Sequence, residues 1–529
     1  MGPGSPLSGG STRRTLLLGA AAWPLAGCRP APERALQGGW VGAGVERGHR
    51  LRETAARALN PQPKRAAVVI VGAGIAGLSA ARGFLRQGVD DVHLLELEDA
   101  PGGNSRGHRM AGMPCPLGAH YLPLQGPAAI EVTDWMHEIG LLRRHLGRSV
   151  PDERHLCHSP QERLFFEGAW HDGLLPPAEP ASATMLQYRR FAALVAAAPT
   201  FTIPSFRNAW TAEHAALDRL TFAAWLDRQG LDDPQLRWYL DYCCRDDYGA
   251  GLATVSAWAG LHYFASRHGF HAPGDAEADR DPVFTWPEGN AWLVERLAAP
   301  LAGRIHGDRV VHRVQEGKDG VELSVWHGDK AETWQAGTVV LALPLFIAAR
   351  VLEAPPAVLR NTAARSVQAP WLVANLQLDQ PLLDRPGAAP AWDNVAYGTQ
   401  GLGYVDAMHQ SLSPVDGATV LTAYVNVPPD QRPALLGEPW QPWAGRVLAE
   451  LMRVHPDLPP RLQRIDLMRY GHAMSVPVPG LHDDSGARQA LRGGSGRIRF
   501  AHADLAGYSV FEEAFIAGAE AARAACRCA

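Results

Sequence analysis

Three glycines and one acid carry the clearest chemical pattern in this sequence of 529 residues. Gly72, Gly74 and Gly77 follow the spacing Gly-x-Gly-x-x-Gly, and Glu96 stands 19 residues past the last of them. In such a turn the first glycine makes a tight bend, the second lets backbone approach a pyrophosphate, and the third lets a helix pack on a strand. The acid then accepts hydrogen bonds from ribose hydroxyls. The pattern predicts a dinucleotide-binding site.

The segments around these residues have the patterns needed to position them. Ala66 to Val71 is a continuous apolar, β-branched run, which is typical of a strand buried in a parallel sheet. Leu78, Ala81, Phe84 and Leu85 then recur at helical spacing until Gly88, which predicts a helix. Its free N–H groups, together with Ile75 and Ala76, are expected to face the phosphates. A second strand, Val92 to Leu95, leads into the acid. The order strand, glycine turn, helix, strand, acid predicts an α/β fold with a parallel sheet.

Further segments resemble the flavin-containing amine oxidase superfamily, which includes monoamine oxidases, polyamine oxidases and phytoene desaturases. Residues 99–106 resemble its second glycine pair, residues 496–504 its closing strand, and residues 511–519 its last helix. Residues 286–290 resemble the start of the helix that leads back into its FAD domain. The resemblance implies that the dinucleotide is FAD, bound without a covalent link, because no cysteine occurs between Cys244 and Cys526.

The resemblance also implies which residues contact the cofactor. Gly102 and Gly103 are the glycine pair, with Asn104 where the family usually has arginine and Arg106 two residues later as an alternative phosphate contact. Other implied contacts are Gly118 and Ala119 beside the flavin, Val311 near the adenine, Asp504 at the ribitol, and Phe511 and Glu512 where the last helix meets the flavin ring.

The implied architecture is a Rossmann-like FAD-binding domain, a parallel sheet with helices, interleaved with a mixed α+β substrate-binding domain. We expect FAD-binding segments at 64–135, 286–345 and 481–529, a substrate or cap segment at 136–285, and a substrate-domain sheet at 346–480. Residues 1–27 are expected to be an export signal. Residues 28–63, rich in Pro, Gly and Arg, are expected to be a linker or an edge decoration.

The candidate residues of the substrate site form less specific motifs than those of the cofactor site. His120 lies in a Gly-Ala-His element that resembles the family's segment at the flavin face, where it would orient a substrate or act as a base. A structural histidine bonded to backbone is the alternative. Asp241, Asp246 and Asp247 lie among Tyr and Cys residues, a mixture that suits a cationic amine. A solvated helix face is the alternative.

The chain has only three lysines, Lys64, Lys318 and Lys330. Many amine oxidases of the family hold a lysine against flavin N5 from a strand that corresponds to Trp371–Leu378, and this strand has none. Either the N5 chemistry proceeds without that lysine, or the substrate is not a typical amine. The electron acceptor is therefore either oxygen or another molecule.

The N-terminal residues resemble an export signal. Arg13-Arg14 precede an apolar run of 13 residues, too short to span a bilayer, and the run ends in Leu-Ala-Gly before Cys28. This layout resembles a twin-arginine signal followed by a lipoprotein cysteine and predicts a periplasmic or lipid-anchored protein. An ordinary cleavage site with an incidental cysteine is the alternative.

Composition excludes several classes. The formal charge of −4 lacks the positive balance of nucleic-acid-binding proteins. His155, Cys157 and His158 have no second ligand pair at zinc-site spacing, so no metal is expected.

The leading interpretation is an exported FAD-dependent oxidoreductase that oxidises a small-molecule amine by hydride transfer to flavin N5. One alternative is a desaturase or isomerase of a long apolar substrate, which a cavity without carboxylates would favour. Another is a non-catalytic, lipid-tethered flavoprotein partner, which a closed cavity would favour.

Overall fold

The computed structural model describes Met1 and residues 36–52, 63–267, 269–274, 282–412 and 417–527. The expected export signal, with Arg13, Arg14 and Cys28, lies outside the described residues. Within the described part, no helix is long and apolar enough to cross a membrane.

The strands, in chain order, are β1 (Gly38–Trp40), β2 (Lys64–Val71), β3 (Val92–Leu95), β4 (Gly107–Met110), β5 (Met113–Pro116), β6 (Tyr121–Pro123), β7 (Leu142–His145), β8 (Arg148–Pro151), β9 (Glu162–Phe166), β10 (Ala169–Asp172), β11 (Val283–Thr285), β12 (Ile305–His306), β13 (Val310–Glu316), β14 (Val321–His327), β15 (Lys330–Leu341), β16 (Val367–Leu378), β17 (Asp393–Ala396), β18 (Tyr404–Asp406), β19 (Thr419–Asn426), β20 (Leu462–Val476) and β21 (Ile498–Phe500).

The α-helices, in chain order, are α1 (Val45–His49), α2 (Ile75–Arg86), α3 (Ile130–Glu138), α4 (Ala183–Ala196), α5 (Ala212–Asp218), α6 (Phe222–Arg228), α7 (Pro234–Tyr248), α8 (Ala257–Ala265), α9 (Ala291–Ala298), α10 (Leu345–Val351), α11 (Ala357–Arg365), α12 (Arg432–Gly437), α13 (Trp440–Met452), α14 (Leu458–Arg461), α15 (Ser485–Gly493) and α16 (Phe511–Arg527).

One sheet has the Rossmann-like arrangement. Its order is β12-β3-β2-β15-β14-β13, and β21 pairs with β15. β3, β2, β15 and β21 are mutually parallel, whereas β13, β14 and β15 form antiparallel pairs. The apolar run in β2 is buried from Val68 to Val71, as expected for a strand covered on both faces. The carboxyl ends of β2, β3 and β15 therefore meet at one edge, where such sheets bind ligands.

Helices α2 and α16 pack on this sheet and on each other very closely. A Cβ on Gly518 of α16 would lie 2.1 Å from the carbonyl oxygen of Ala76 in α2. Ser79 of α2 also donates a hydrogen bond of 2.7 Å to the carbonyl oxygen of Phe515. The last helix thereby fixes the helix that follows the glycine turn.

A second sheet forms the other half of the molecule, in the order β1-β20-β16-β19-β18-β17-β9-β10. Strands from 162–172 and 367–476 build it, and helices α4 to α8 share an apolar core with it. The chain thus passes repeatedly between the two halves. Residues 38–52, which the sequence analysis placed in a linker or edge decoration, form β1 and α1, and β1 pairs in parallel with β20.

Candidate cofactor and substrate site

A cavity of about 780 Å³ runs between the carboxyl edge of the Rossmann-like sheet and the second sheet. Its volume lies in the range of small-molecule and cofactor sites. All predicted site residues except Gly77, Arg106 and Asp504 line it. These lining residues are Gly72, Gly74, Ile75, Ala76, Glu96, Gly102, Gly103, Asn104, Gly118, Ala119, His120, Val311, Phe511 and Glu512.

The two glycine turns face each other with no side chain between them. Gly103 has a φ of +56°, and a Cβ there would lie 3.4 Å from the Cα of Gly74. The backbone N–H of Gly102 donates to the carbonyl oxygen of Ala73 at 2.9 Å. A side chain on either glycine would fill the space in front of the α2 N-terminus. This cradle of bare backbone suits a pyrophosphate.

Gly77 does not line the cavity but lies where α2 packs against the glycine turn. A Cβ at this position would lie only 1.9 Å from the carbonyl oxygen of Gly72. The close approach of α2 to the turn is the role that the sequence pattern gives to the third glycine.

Glu96 closes the end of β3 and faces the part of the cavity lined by Val310 and Val311. Its carboxylate accepts hydrogen bonds from the backbone N–H of Ala73 at 2.6 Å and of Glu98 at 3.0 Å. Burial raises the pKa of Glu96, although these two hydrogen bonds act in the opposite direction. A carboxylate oxygen can accept more than one hydrogen bond, so the ribose hydroxyls of a dinucleotide can still bind here.

Arg106 does not reach the cavity. Its guanidinium pairs with Asp99 at 2.6 Å and lies 3.9 Å from Glu98. Asn104, at the position where the family usually has arginine, lines the cavity and donates from Nδ2 to the carbonyl oxygen of Ala473 at 2.6 Å. In this structure the Asp99 and Glu98 carboxylates hold the guanidinium of Arg106, and its expected phosphate contact stays a prediction.

Asp504 also lies behind the cavity wall. Its buried carboxylate accepts from the backbone N–H of Leu345 at 3.0 Å, at the start of α10, and lies 3.2 Å from His502 Nδ1. Burial alone would raise the pKa of Asp504, but His502 and the hydrogen bonds lower it. The neighbouring His502 and Ala503 line the cavity instead. In this structure Asp504 links the closing strand to α10, and its contact with the ribitol stays a prediction.

His120 lies in an aromatic corner of the cavity. Its ring stacks on Tyr424 with centroids 4.3 Å apart and lies 5.1 Å from Tyr121 and 5.4 Å from Trp392. Tyr424 is held in turn by a hydrogen bond of 3.1 Å from its hydroxyl to the carbonyl oxygen of Gly118. Burial lowers the pKa of His120 to about 3, so the ring is uncharged near neutral pH.

Two carboxyl groups from α7 line the same end of the cavity. Burial raises the pKa of Asp246 to about 7 and that of Asp247 to about 6, and the charge of Asp247 adds to the shift of Asp246. Arg267, which also lines the cavity, lies 3.3 Å from Glu512 and interacts electrostatically with Asp247. Asp241 lies outside the cavity and pairs with Arg245 at 2.8 Å. Within the polar stretch of α7, only the last two acids therefore face the cavity.

All three lysines lie outside the cavity. Lys318 is exposed between β13 and β14, Lys330 is exposed at the start of β15, and Lys64 pairs with Glu332 at 2.9 Å. The strand expected to carry an N5 lysine is part of β16, and its cavity-lining residue is Trp371. The cavity wall there is apolar.

None of the five cysteines that the structure describes lines the cavity, namely Cys115, Cys157, Cys243, Cys244 and Cys526. No group of three or more His, Cys, Asp or Glu side chains in the described part of the chain could hold a metal ion.

Sequence reasoning missed one wall of the cavity, formed by residues 43–52. Ala43, Gly44, Val45, Gly48, His49, Leu51 and Arg52 line it. Arg350, Arg469 and His472 lie on the same wall of the cavity from α10 and β20. No local pattern marks these residues, because the contacts that place them are made with parts of the chain hundreds of residues away.

Comparisons with known proteins are consistent with this geometry. The family model described as flavin containing amine oxidoreductase matches residues 75–526. The "Putative flavin-containing monoamine oxidase AofH" of Mycobacterium tuberculosis is 28% identical over 292 residues, which are 54% of this chain and 59% of that protein's length.

Solved structures share the fold. Cyclohexylamine oxidase from Brevibacterium oxydans IH-35A has a TM-score of 0.64 at 19% identity, covering 87% of this chain and 99% of that one. Wild-type putrescine oxidase bound to putrescine has a TM-score of 0.64 at 17% identity, also covering 87% and 99%.

Proposed function

Because this chain belongs to the flavin-containing amine oxidoreductase family, we propose that it uses non-covalent FAD to oxidise an amine at the carbon next to nitrogen. When bound, the flavin accepts the hydride from that carbon, and the resulting imine hydrolyses in water. The observation that carries the proposal is the end of the cavity where Asp246 and Asp247 face an aromatic corner.

Asp246 is the group that we assign to the ammonium of the substrate. Arg267 offsets the negative charges of Asp247 and Glu512, whereas Asp246 forms no ion pair with any residue that the structure describes. An incoming cation would favour the ionised form of Asp246 and bind to it. The same interaction selects amines over neutral molecules of similar shape.

The aromatic corner gives the substrate its orientation. Uncharged His120 and Tyr424 present stacked ring faces, and Tyr121 and Trp392 close the sides. Aromatic faces attract cations and alkyl groups alike, and they exclude water from the reacting carbon. These side chains position the substrate and need not transfer a proton themselves.

The carboxyl groups in the cavity also argue against the alternative function, a desaturase or isomerase of an apolar substrate. A desaturase or isomerase of a long apolar substrate would have to bury uncompensated Asp246 against hydrocarbon, which is costly. An amine compensates that carboxylate. No lysine lines the cavity, so whether oxygen or another molecule accepts the electrons is tested separately, by readmitting air.

The test is anaerobic reduction of the flavin. The purified Cys28→Ser chain, loaded with FAD, is mixed with polyamines, monoamines, amino acids and a carotenoid while flavin absorbance is followed. We expect bleaching by one class of amine, and much slower bleaching in Asp246→Asn. Bleaching by the carotenoid, or by no compound at all with FAD firmly bound, contradicts the proposal. Readmitting air to the bleached sample then separates an oxidase from a dehydrogenase.

We also propose that the protein is exported and anchored by lipid at Cys28. The support is the twin-arginine pair, the short apolar run and the Leu-Ala-Gly-Cys sequence that ends it. Expression of the full chain in a bacterium should place it in the membrane fraction, and Cys28→Ser should move it to the soluble fraction. Recovery of both forms in the cytoplasm would contradict the proposal.

A further inference from the structure

We propose that residues 43–52, here called the N-terminal strap, close over the phosphate part of the FAD site and provide positive charge for the pyrophosphate. The inference rests on FAD binding alone and not on the substrate being an amine. A failure of one proposal is therefore distinguishable from a failure of the other.

The first half of the strap is anchored beside the ribose end of the site. The backbone N–H of Gly44 donates to Glu98 Oε2 at 3.1 Å. Arg47 pairs with the same carboxylate at 2.6 Å and with Asp308 at 2.7 Å. Glu98 lies just beyond the end of β3, two residues after Glu96. These contacts fix the strap at the carboxyl end of β3.

The second half is anchored at the turn between β14 and β15 and at α10. Arg50 donates to the carbonyl oxygen of Gly328 at 2.8 Å, and its guanidinium lies 4.1 Å from the centroid of Trp326. The carbonyl oxygen of Leu51 accepts from Arg350 Nε at 2.7 Å. Arg350 belongs to α10, which follows β15.

Contacts through β20 bring the end of the strap to the glycine turns. Arg52 acts electrostatically on His472, whose ring lies 4.9 Å from that of Phe346 in α10, the helix after β15. The neighbour of His472, Ala473, accepts the hydrogen bond from Asn104 of the second glycine pair. The strap and both glycine turns line the same cavity, into which the free N–H groups of α2 point.

The charge of this wall suits an anion. Arg52 of the strap lines the cavity together with Arg350 and Arg469. Burial and the nearby charge of Arg52 lower the pKa of His49, and burial and nearby arginines lower the pKa of His472 to about 4. Glu46 is the acid that acts on His49 and Arg469. The net balance of the wall is positive.

This wall compensates for a departure on the opposite side of the cradle. The second glycine pair has Asn104 where an arginine is usual, and Arg106 is paired with Asp99. The cradle itself therefore supplies backbone N–H groups but no cationic side chain. Arginine binds phosphate strongly and keeps its charge at all accessible pH values, so the strap and its neighbours supply what the cradle lacks.

The test measures the rate at which the full-length holoprotein releases FAD, followed by the rise of flavin fluorescence after dilution. We expect Arg52→Gln to release FAD about tenfold faster, since one charge-assisted hydrogen bond is lost. We also expect salt to accelerate release less in this variant than in the wild type, because one ion pair fewer is screened. Arg47→Ala removes the ion pairs of the strap with Glu98 and Asp308 without removing a cavity-lining side chain, and it should also release FAD faster.

Arg65→Gln is the matched control, because Arg65 is exposed at the start of β2 and does not line the cavity. It removes the same charge and should release FAD at the wild-type rate. The proposal is overturned if Arg52→Gln and Arg47→Ala both release FAD at the wild-type rate. It is equally overturned if Arg65→Gln accelerates release as much as Arg52→Gln does, since the effect would then be one of net charge.

Discussion

The two protonation states of Asp246 have different effects, since the protonated form favours folding and the ionised form binds an ammonium group. Its pKa is raised to about 7 by burial, so the folded protein binds a proton that the unfolded chain releases near its ordinary value of 3.8. The free energy of unfolding therefore falls as pH rises from about 4 to about 7. Binding of an ammonium group needs the ionised form, which is populated above this range.

Asp246→Asn should therefore separate stability from activity. We expect the free energy of unfolding of the substrate-free protein to rise by about 1–3 kcal/mol above pH 7, with little change at pH 4. We expect kcat/KM for an amine to fall by about 10- to 100-fold. Denaturant unfolding at several pH values and steady-state kinetics measure the two effects.

Asp241→Asn controls for the loss of one charge on α7, because Asp241 lies outside the cavity and pairs with Arg245. It should leave kcat/KM close to the wild-type value. Equal losses in both variants would mean that Asp246 acts through the general charge of the helix and not by contact with substrate.

His120 provides a second prediction about pH. Its pKa of about 3 keeps the ring neutral from pH 5 to pH 9. His120→Gln should therefore lower kcat by about tenfold through lost stacking. We expect kcat/KM to rise near pH 7 as Asp246 ionises, and the midpoint of that rise should be the same in this variant as in the wild type. A pH–rate profile decides the matter. A midpoint that disappears with His120 would show that this histidine, and not Asp246, titrates in the reaction.

At the scale of elements, the contact between α2 and α16 is a sensitive feature. A Cβ on Gly518 would meet the carbonyl oxygen of Ala76 at 2.1 Å, so Gly518→Ala should force the helices apart and destabilise the fold by about 1–3 kcal/mol. Because α2 carries the phosphate-facing N-terminus, FAD affinity should fall as well. Thermal unfolding and FAD titration measure both.

Gly445→Ala is the comparison within another helix. Gly445 is exposed in α13 and a Cβ there meets nothing within 4 Å, so the substitution should stabilise by about 0.5–1 kcal/mol through helix propensity alone. If Gly518→Ala were as mild as Gly445→Ala, the close packing of α16 would not be what holds α2 in place.

The sequence predicts well the elements whose signals are local. The expected strand Val92 to Leu95 has the bounds of β3, and the expected helix after Gly74 is α2, which ends at Arg86 before Gly88. Strand β15 begins at Lys330, ahead of its continuous buried end, because its first half pairs with β14 in an antiparallel arrangement. Hydrophobic runs identify the buried part of a strand and not its extension.

Contacts outside the sequence motifs determine where several of the predicted side chains lie. Arg106 is three positions from Gly103, yet Asp99 and Glu98 decide where its guanidinium lies. Asp504 turns to α10 because the backbone N–H of Leu345 is buried there and needs an acceptor. Strand β1 pairs with residues 465–467, and no pattern within 38–52 indicates that partner.

At the scale of the whole molecule, the cavity joins two halves that have separate cores. The Rossmann-like sheet contributes the glycine turns and Glu96, whereas the second sheet contributes Trp371 and Tyr424. A ligand that fills the cavity contacts both, and it stabilises the folded state by mass action.

Removal of FAD should therefore lower the melting temperature of the whole chain. At a free FAD concentration of 1,000 times Kd, the loss on removal is about 4 kcal/mol. Differential scanning calorimetry of the apo and holo forms checks this. An unchanged main transition on removal of FAD would mean that the cofactor is bound at the surface and not between the halves.

The pairing of β1 with β20 also means that β1 cannot pair until translation has reached residues 465–467. Gly38 meets Ile465, more than 400 residues later, and α2 meets α16 at the end of the chain. At about 5–20 residues per second, the ribosome takes about 20–90 seconds to produce the partner of the first strand. During that time the strap and the glycine turn exist without β20 and without the last helix. We therefore expect FAD to enter after translation is complete, and a chain truncated before α16 to be purified without bound flavin.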